Sequence, residues 1–433
     1  MSGPAAENPS GPPVPSGDPR PPGHPVGSRT YARITFALFL AGLATFALLY
    51  APQPLLPLLA AEVGISPGSS AWAISAATIG VGVGLLIAGP VSELVGRTPL
   101  MHASLFASSV MGLACGFVDN WPLFLALRAV QGVALAGLPA VAMAYLTEEI
   151  DARDGARAAG LYIAGTAMGG MVGRLAAAGL SEVFGAHGAL LGIAALGLTC
   201  AVAVRLLLPA SRRFRPVASG SLRPRELARS TAALLRDPAM IALFGIAASA
   251  MGAFVGIFNA LSFRLVGPPY LLPVGVAGLV FVVYAVGSVS STVAGRAAAR
   301  FGHRAVEPVC VLVILGGLGL TLATPLAAVL AGATLITGGF FAAHGVASGW
   351  VASRASLSTG TPGQASSLYL FAYYLGSTIV GALATLAWAR GGWGWVVALT
   401  GTLLLGTLGL SLWLRRIPSL AEPPQPDPGI VGY

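Results

Sequence analysis

Several polar side chains of this sequence stand inside long apolar stretches, where water cannot solvate them. Arg128 lies about 10 Å into an apolar run that begins near Trp121, at ~1.5 Å of helix rise per residue. A guanidinium at such a place costs about 2.5–3.5 kcal/mol on insertion scales, so it must find partners. Two kinds of chemistry suit it: bonds to backbone carbonyls of the first helix, or a role in moving protons together with Gln131, three residues on. His344 is the one histidine well inside an apolar run. An unperturbed imidazole titrates near pH ~6.5, which suits reversible protonation; a packed, hydrogen-bonded histidine is the alternative.

Other residues suit the recognition of a small molecule. Gln53 and Asn259 are 206 positions apart and occupy matching places in two apolar runs. Buried amides need hydrogen-bond partners, either from each other's helices or from a bound molecule. Arg174 either extends along the surface of its helix to the outer interface or meets an anionic group in a cavity. Tyr369, Tyr373 and Tyr374 form an aromatic cluster, Tyr369 and Tyr373 sharing one helix face. Tyr162 stands at the position equivalent to Tyr369, 207 residues earlier. No carboxylate falls well inside an apolar run; Glu62, Glu93 and Glu307 come nearest.

The elements that hold these residues follow from composition. Of 433 residues, 55% are apolar and 9% charged, against about 25% charged in soluble domains. A bilayer core takes roughly 20 apolar residues per helix. Runs of that kind are predicted at 34–61, 71–93, 99–118, 121–146, 158–181 and 186–208, then at 239–265, 273–295, 305–323, 326–353, 364–388 and 392–414. They must be helices, because lipid cannot satisfy open backbone groups. The expected fold is therefore an all-α integral membrane protein with twelve transmembrane helices. Pro52, Pro54 and Pro57 should bend the end of the first. Residues 1–30, with nine prolines, read as a disordered tail; 209–238 as a polar linker; and 417–433 as a second disordered tail.

All 24 basic residues are arginine. Twenty of them fall on one face, which also carries both termini and the linker; Arg264 and Arg390 fall on the other. The bias of positive loops makes the first face cytoplasmic, giving a multi-pass protein of the cell (inner) membrane with both termini inside. Basic residues so distributed belong to membrane topology, and no nucleic-acid partner is expected. Cys115, Cys200 and Cys310 lie singly in apolar runs and form no metal-ligand spacing. The five histidines are scattered, so neither a metal, a cofactor nor an enzyme centre is indicated. No GxxxxGK[ST] sequence is present to bind a nucleotide.

The two halves of the sequence repeat. Gly89-Pro-Val-Ser-Glu93-Leu-Val-Gly96-Arg97 matches Gly295-Arg-Ala-Ala-Ala-Arg-Phe-Gly302-His303 at an offset of 206, and Leu161-Tyr162 through Gly169 matches Leu368-Tyr369 through Gly376 at 207. Two pseudo-symmetric six-helix halves, 31–208 and 239–416, are the consequence. Parallel repeats with a site between them near the midplane are a transporter architecture.

Gly89-x-x-x-Glu93-x-x-Gly96-Arg97 resembles the loop motif of the major facilitator superfamily. Arg128-x-x-Gln131-Gly132 resembles a helix-four motif of its proton-coupled members, and Gly165-Thr-Ala-Met-Gly169-Gly170 the glycine-rich motif of its antiporters. The family's usual Asp is Glu93 here, and the Gly-Pro pair of its antiporters is missing. The wording around Tyr50–Pro57 and Leu161–Gly165 resembles bacterial drug and sugar efflux permeases. The resemblance implies a secondary active transporter working by alternating access: a proton-coupled exporter of drug-like, sugar-like or metabolite solutes. Uptake of a small organic anion is the alternative. Together with the residue readings above, it points to proton coupling through Arg128, Gln131 and His344, gating by Gly89, Glu93, Gly96 and Arg97, and a cavity lined by Gln53, Asn259, Arg174, Tyr162, Tyr369 and Tyr373. Its expected partners are a small-molecule substrate, protons and the lipid bilayer, with the chain acting as a monomer.

Overall fold

The computed structural model describes residues 23–151, 153–214, 224–358 and 361–418. The expected tails over 1–22 and 419–433, and the middle of the linker over 215–223, lie outside the described residues.

The described chain is helical throughout, apart from one isolated bridge between His24 and Ile150. The first half comprises α1 (Arg29–Tyr50), α2 (Leu56–Val63), α3 (Pro67–Ser70), α4 (Trp72–Val95), α5 (Arg97–Gly116), α6 (Trp121–Leu135), α7 (Gly137–Glu149) and α8 (Gly155–Leu207). A linker helix, α9 (Pro224–Leu234), follows. The second half comprises α10 (Pro238–Val266), α11 (Val274–Gly278) with a 3-10 turn (Leu279–Tyr284), α12 (Ala285–Phe301), α13 (His303–Leu320), α14 (Leu326–Ser358) and α15 (Pro362–Trp413). Ten helical stretches are long and apolar enough to cross a membrane. Two of them, α8 and α15, have 53 and 52 residues. At ~1.5 Å per residue each is about 80 Å long, more than twice a ~30 Å hydrocarbon core. Each is broken by a glycine with positive φ, Gly185 (67°) in α8 and Gly392 (68°) in α15, and turns back there. The chain therefore crosses twelve times.

The breaks also display the repeat. Gly185 and Gly392 are 207 positions apart; Gly96 (φ 95°) and Gly302 (φ 83°), where α4 and α12 hand over to α5 and α13, are 206 apart. Within each half, the first crossing packs on the fifth: α1 on the start of α8, α10 on the start of α15. Glycine permits this approach. A Cβ on Gly169 would lie 2.2 Å from the Leu43 carbonyl oxygen, and one on Gly376 would lie 1.9 Å from that of Ala248. Small residues let helix backbones meet at this distance without a hydrophobic drive between them.

The polar linker carries α9 over 224–234, and Ser230 Oγ donates to Gln364 Oε1 at the start of α15 (2.5 Å). The stretch 23–28 lies against the α7–α8 loop: the His24 amide donates to the Glu149 carbonyl (2.9 Å) and the Val26 amide to Asp154 Oδ2 (2.7 Å). Backbone pairing and a carboxylate partner hold residues that composition alone assigned to a tail.

Candidate functional site

The first crossing breaks where the prolines stand. α1 ends at Tyr50 and the chain resumes as α2 at Leu56. Pro52 has no N–H for the Leu48 carbonyl, and the Gln53 amide turns back to the Tyr50 carbonyl (3.0 Å) instead of serving Leu49. Arg128 of α6 supplies both missing donors. Its Nη1 donates to Leu48 O (3.1 Å) and its Nη2 to Leu49 O (2.6 Å). Its Nε donates to Ala73 O (2.8 Å), and Nη1 also to Gln131 Oε1 (2.5 Å). Gln131 Nε2 continues to the Ser108 carbonyl (2.9 Å). All three guanidinium nitrogens thus meet oxygen, and the geometry is that of the carbonyl-bonded arginine, one of the two roles weighed for it.

Gln53, Asn259 and Arg174 come together in one network at the contact between the halves. Arg174 Nε donates to Gln53 Oε1 (2.5 Å), Gln53 Nε2 to Asn259 Oδ1 (2.7 Å), and Asn259 Nδ2 to Gly381 O (3.4 Å). The two amides at matching positions therefore bond each other. Arg174 does not extend to the interface: it is 2% exposed, and its Nη1 donates to Gly170 O (2.5 Å). Its guanidinium carbon lies 4.2 Å from the Tyr50 ring centre, 4.5 Å from Tyr284 and 5.2 Å from Phe281. Its Nη2 makes no hydrogen bond among the described residues, and no carboxylate pairs with it. The Tyr284 hydroxyl beside it is buried without a partner.

Farther into the second half, Tyr369 Oη and His344 Nδ1 are 3.0 Å apart. Tyr373 lies 4.8 Å from the His344 ring centre, and Phe340 lies parallel to the imidazole at 6.1 Å. These residues border a cavity of about 10 Å³, room for a single water molecule. Tyr162 is buried in α8 and faces Tyr374 across the halves, near enough to interact electrostatically.

Contacts between the halves concentrate away from the arginine-rich face. Ser75 Oγ donates to Thr378 O (2.9 Å), Thr78 and Thr378 share a hydroxyl bond (2.9 Å), and the Gly275 amide donates to Glu182 Oε1 (2.5 Å). Among the described residues, these bonds tie the halves together on the side away from the arginine-rich face.

Glu93 and Arg97 do form an ion pair (2.7 Å), with Arg97 also held by Glu148 of α7 (2.9 Å) and Ser92 (2.5 Å), and lying over Phe214. Every partner belongs to the first half or to the linker's beginning. The pair clamps α4, α5 and α7 to one another. Gly96 supplies the positive φ of the turn between α4 and α5; the Gly89 carbonyl accepts from Ser92 Oγ (2.7 Å), and a Cβ added at Gly89 would meet nothing within 4 Å.

Sequence reading missed Tyr50, Phe281 and Tyr284 as the cage of Arg174, and Glu148 as the second partner of Arg97. It also placed no acid inside a crossing. Glu307, in the second turn of α13, is wholly buried with neither carboxylate oxygen hydrogen-bonded. Its nearness to the helix end concealed it.

A family profile described as Major Facilitator Superfamily matches residues 35–285, more than half of the chain. The chain belongs to the Major Facilitator Superfamily. Over 390 residues it is 40% identical to the inner membrane transport protein YnfM of Escherichia coli, covering 90% of this chain and 92% of that one. It is 39% identical to the uncharacterized MFS-type transporter YybF of Bacillus subtilis, covering 90% and 95%. Its fold is similar to that of a bacterial homologue of the human lysosomal transporter Spinster, solved in an inward-facing, occupied conformation. There the TM-score is 0.73 at 16% identity, covering 90% of this chain and 98% of that one. The protein is a multi-pass membrane transporter of this superfamily and not an enzyme.

Proposed function

We propose that this transporter carries small organic anions by alternating access between its halves, moving each anion together with a proton. The observation that carries this reading is Arg174. Among the described residues it is a fully buried cation between the halves with no carboxylate partner, one terminal nitrogen without a hydrogen bond, and an orphaned Tyr284 hydroxyl beside it. A carboxylate or sulfonate would accept from both, and the Tyr50, Phe281 and Tyr284 rings favour a substrate with an apolar body. A cationic solute would need an acid at this place, and none of the described residues provides one. Arginine distribution supports placing both termini in the cytoplasm, and the resemblance to an E. coli inner membrane protein supports that membrane. The path lies within one chain, which supports a monomer.

Proton-driven export, the direction implied by the resemblance, is the second reading; the Arg128–Gln131 pair of the helix-four motif favours it. A thermal-shift screen of purified protein with matched anionic, neutral and cationic ring compounds tests the substrate class. Anions such as benzenesulfonate are expected to raise the unfolding midpoint in the wild type and not in Arg174→Gln. Stabilisation by cations alone would overturn the reading.

A further inference from the structure

The buried acid of the second half has no use in the site described so far. Glu307 is fully enclosed, and neither of its oxygens has a hydrogen-bond partner. A carboxylate so placed is far too costly to keep ionised, because nothing replaces its lost hydration. It is stable there with a proton on it. The groups around it supply no counter-charge. From α15 comes the Tyr369 phenol, close enough to interact electrostatically, and from its own helix Cys310. α12 brings Ala294 and Ala298 against Cys310, with its Arg296 and Arg300 exposed. α14 brings Ala342, Ala343 and Val346 to the same cluster, while its Arg354 is tied to Asp237 (2.7 Å). His303, at the start of α13, stacks on Trp350.

Tyr369 leads away from this acid toward the middle of the molecule. Its hydroxyl contacts His344 Nδ1 at 3.0 Å. His344 borders the water-sized cavity together with Tyr373, and Tyr373 is within electrostatic reach of Arg174. A hydroxyl and an imidazole can each accept a proton on one side and release one on the other. The row Glu307, Tyr369, His344, Tyr373 thus leads from a buried acid toward the arginine between the halves, with the Tyr369–His344 hydrogen bond as its direct link.

We infer that Glu307 is the proton-binding residue of this transporter, loaded and unloaded through Tyr369 and His344. This deepens the proposed function and rests on it only for what the proton accompanies. In the transfer, a water admitted between Tyr369 and Glu307 gives a proton to a Glu307 carboxylate oxygen and takes the Tyr369 hydroxyl proton; Tyr369 takes one from His344 Nδ1, and His344 takes one on Nε2 from hydronium in the cavity, which leaves as water; no other bond changes. Loss of the proton requires water to reach Glu307, so α13 must part from α12, α14 and α15. That requirement ties protonation to the conformational change.

The test uses the full chain in lipid vesicles. In pH-difference infrared spectra without substrate, the wild type is expected to show a protonated-carboxyl band that titrates. Glu307→Gln should remove the band, and Tyr369→Phe, which keeps Glu307, should shift its titration. A band that titrates unchanged in Glu307→Gln overturns the inference. Next, benzenesulfonate, which stays charged and carries no proton, is added in weak buffer with a pH dye. About one proton taken up per anion bound is expected in the wild type, and at least a tenfold smaller uptake in Glu307→Gln. Undiminished uptake in that variant overturns the inference. Protons released instead of taken up, and lost in Glu307→Gln, would leave Glu307 as the site while sinking co-movement of anion and proton. A titrating Glu307 band in a protein that binds no anion would sink the proposed substrate class and support the proton site.

Discussion

Replacing Arg128 with alanine separates a structural arginine from a coupling arginine. The substitution leaves Leu48 O and Leu49 O without donors in the membrane interior, because Pro52 has no N–H and the Gln53 amide bonds Tyr50 O. A buried acceptor left unpaired costs about 1–3 kcal/mol, and breaking a buried charged partner roughly 3–5 kcal/mol in all. Deleting the charge returns little, because its desolvation is already offset by four hydrogen bonds. A net loss of about 2–5 kcal/mol follows. In a unit of 150–250 residues, the size of one six-helix half, each kcal/mol lowers the unfolding midpoint by about 2–4 °C, so a fall of roughly 4–20 °C is expected. The assay is thermal unfolding of detergent-purified protein followed by size-exclusion. Pro52→Ala restores a donor for Leu48 O, so Arg128→Ala should cost about 1 kcal/mol less in that background. Wild-type stability in Arg128→Ala, or additivity of the two substitutions, would refute the reasoning and free Arg128 for a direct part in coupling.

Gln53→Leu breaks the amide bond between the halves. Loss of about 1 kcal/mol from this contact between the halves corresponds to roughly a fivefold shift toward its opening. Labelling of Ala178→Cys, in a chain without its three native cysteines, should rise by that factor; unchanged labelling would show that the bond does not latch the halves. Gly376→Ala forces a Cβ onto the Ala248 carbonyl and should destabilise by about 1–3 kcal/mol. Gly316→Ala, with open space around it, should be neutral or better; equal effects from the two would count against close packing of α10 on α15. Burial, and secondarily the charge of Arg212, hold His24 below its usual pKa, with Glu149 opposing. Docking of 23–28 on the α7–α8 loop should therefore be fully present above pH ~6.5 and weaken as pH falls through the lower folded value. Amide exchange at His24 and Val26 should show this in the wild type, and His24→Gln should lose the pH dependence.

The architecture was legible because bilayer thickness imposes one length on every crossing, and the offset of 206–207 survives in the residues that set the turns. Gly96 and Gly302, or Gly185 and Gly392, keep positive φ whatever surrounds them. Gln53 and Asn259 were legible as a pair for the same reason: equivalent positions in parallel repeats meet at the axis between them. The cage of Arg174 was not, since a tyrosine in an apolar run looks the same whether it packs against lipid or against a guanidinium. The acid was missed for a different reason. Depth along a helix was taken as depth from water, yet Glu307 lies near a helix end and is enclosed sideways by α12, α14 and α15. Lateral enclosure is a property of packing, and no periodicity within α13 records it.

Two buried arginines carry the same charge and differ in what satisfies it. Arg128 meets oxygen with every nitrogen, and its partners are backbone carbonyls that a helix break has exposed. Nothing is left over for a ligand. Arg174 meets oxygen with two nitrogens, one of them on an amide shared with the opposite half, and lies against three rings. It lacks an anion, and Glu307 lacks a cation. They occupy different halves and do not pair with each other. Under the proposed function, loading with one anion and one proton is the condition in which both are satisfied at once. Anion alone leaves an ionised Glu307 that must stay hydrated; proton alone leaves Arg174 without its counter-ion. Either partly loaded carrier keeps one uncompensated charge in the low-dielectric interior, and that cost, set by two residues in separate halves, is what would make the two movements obligatory partners.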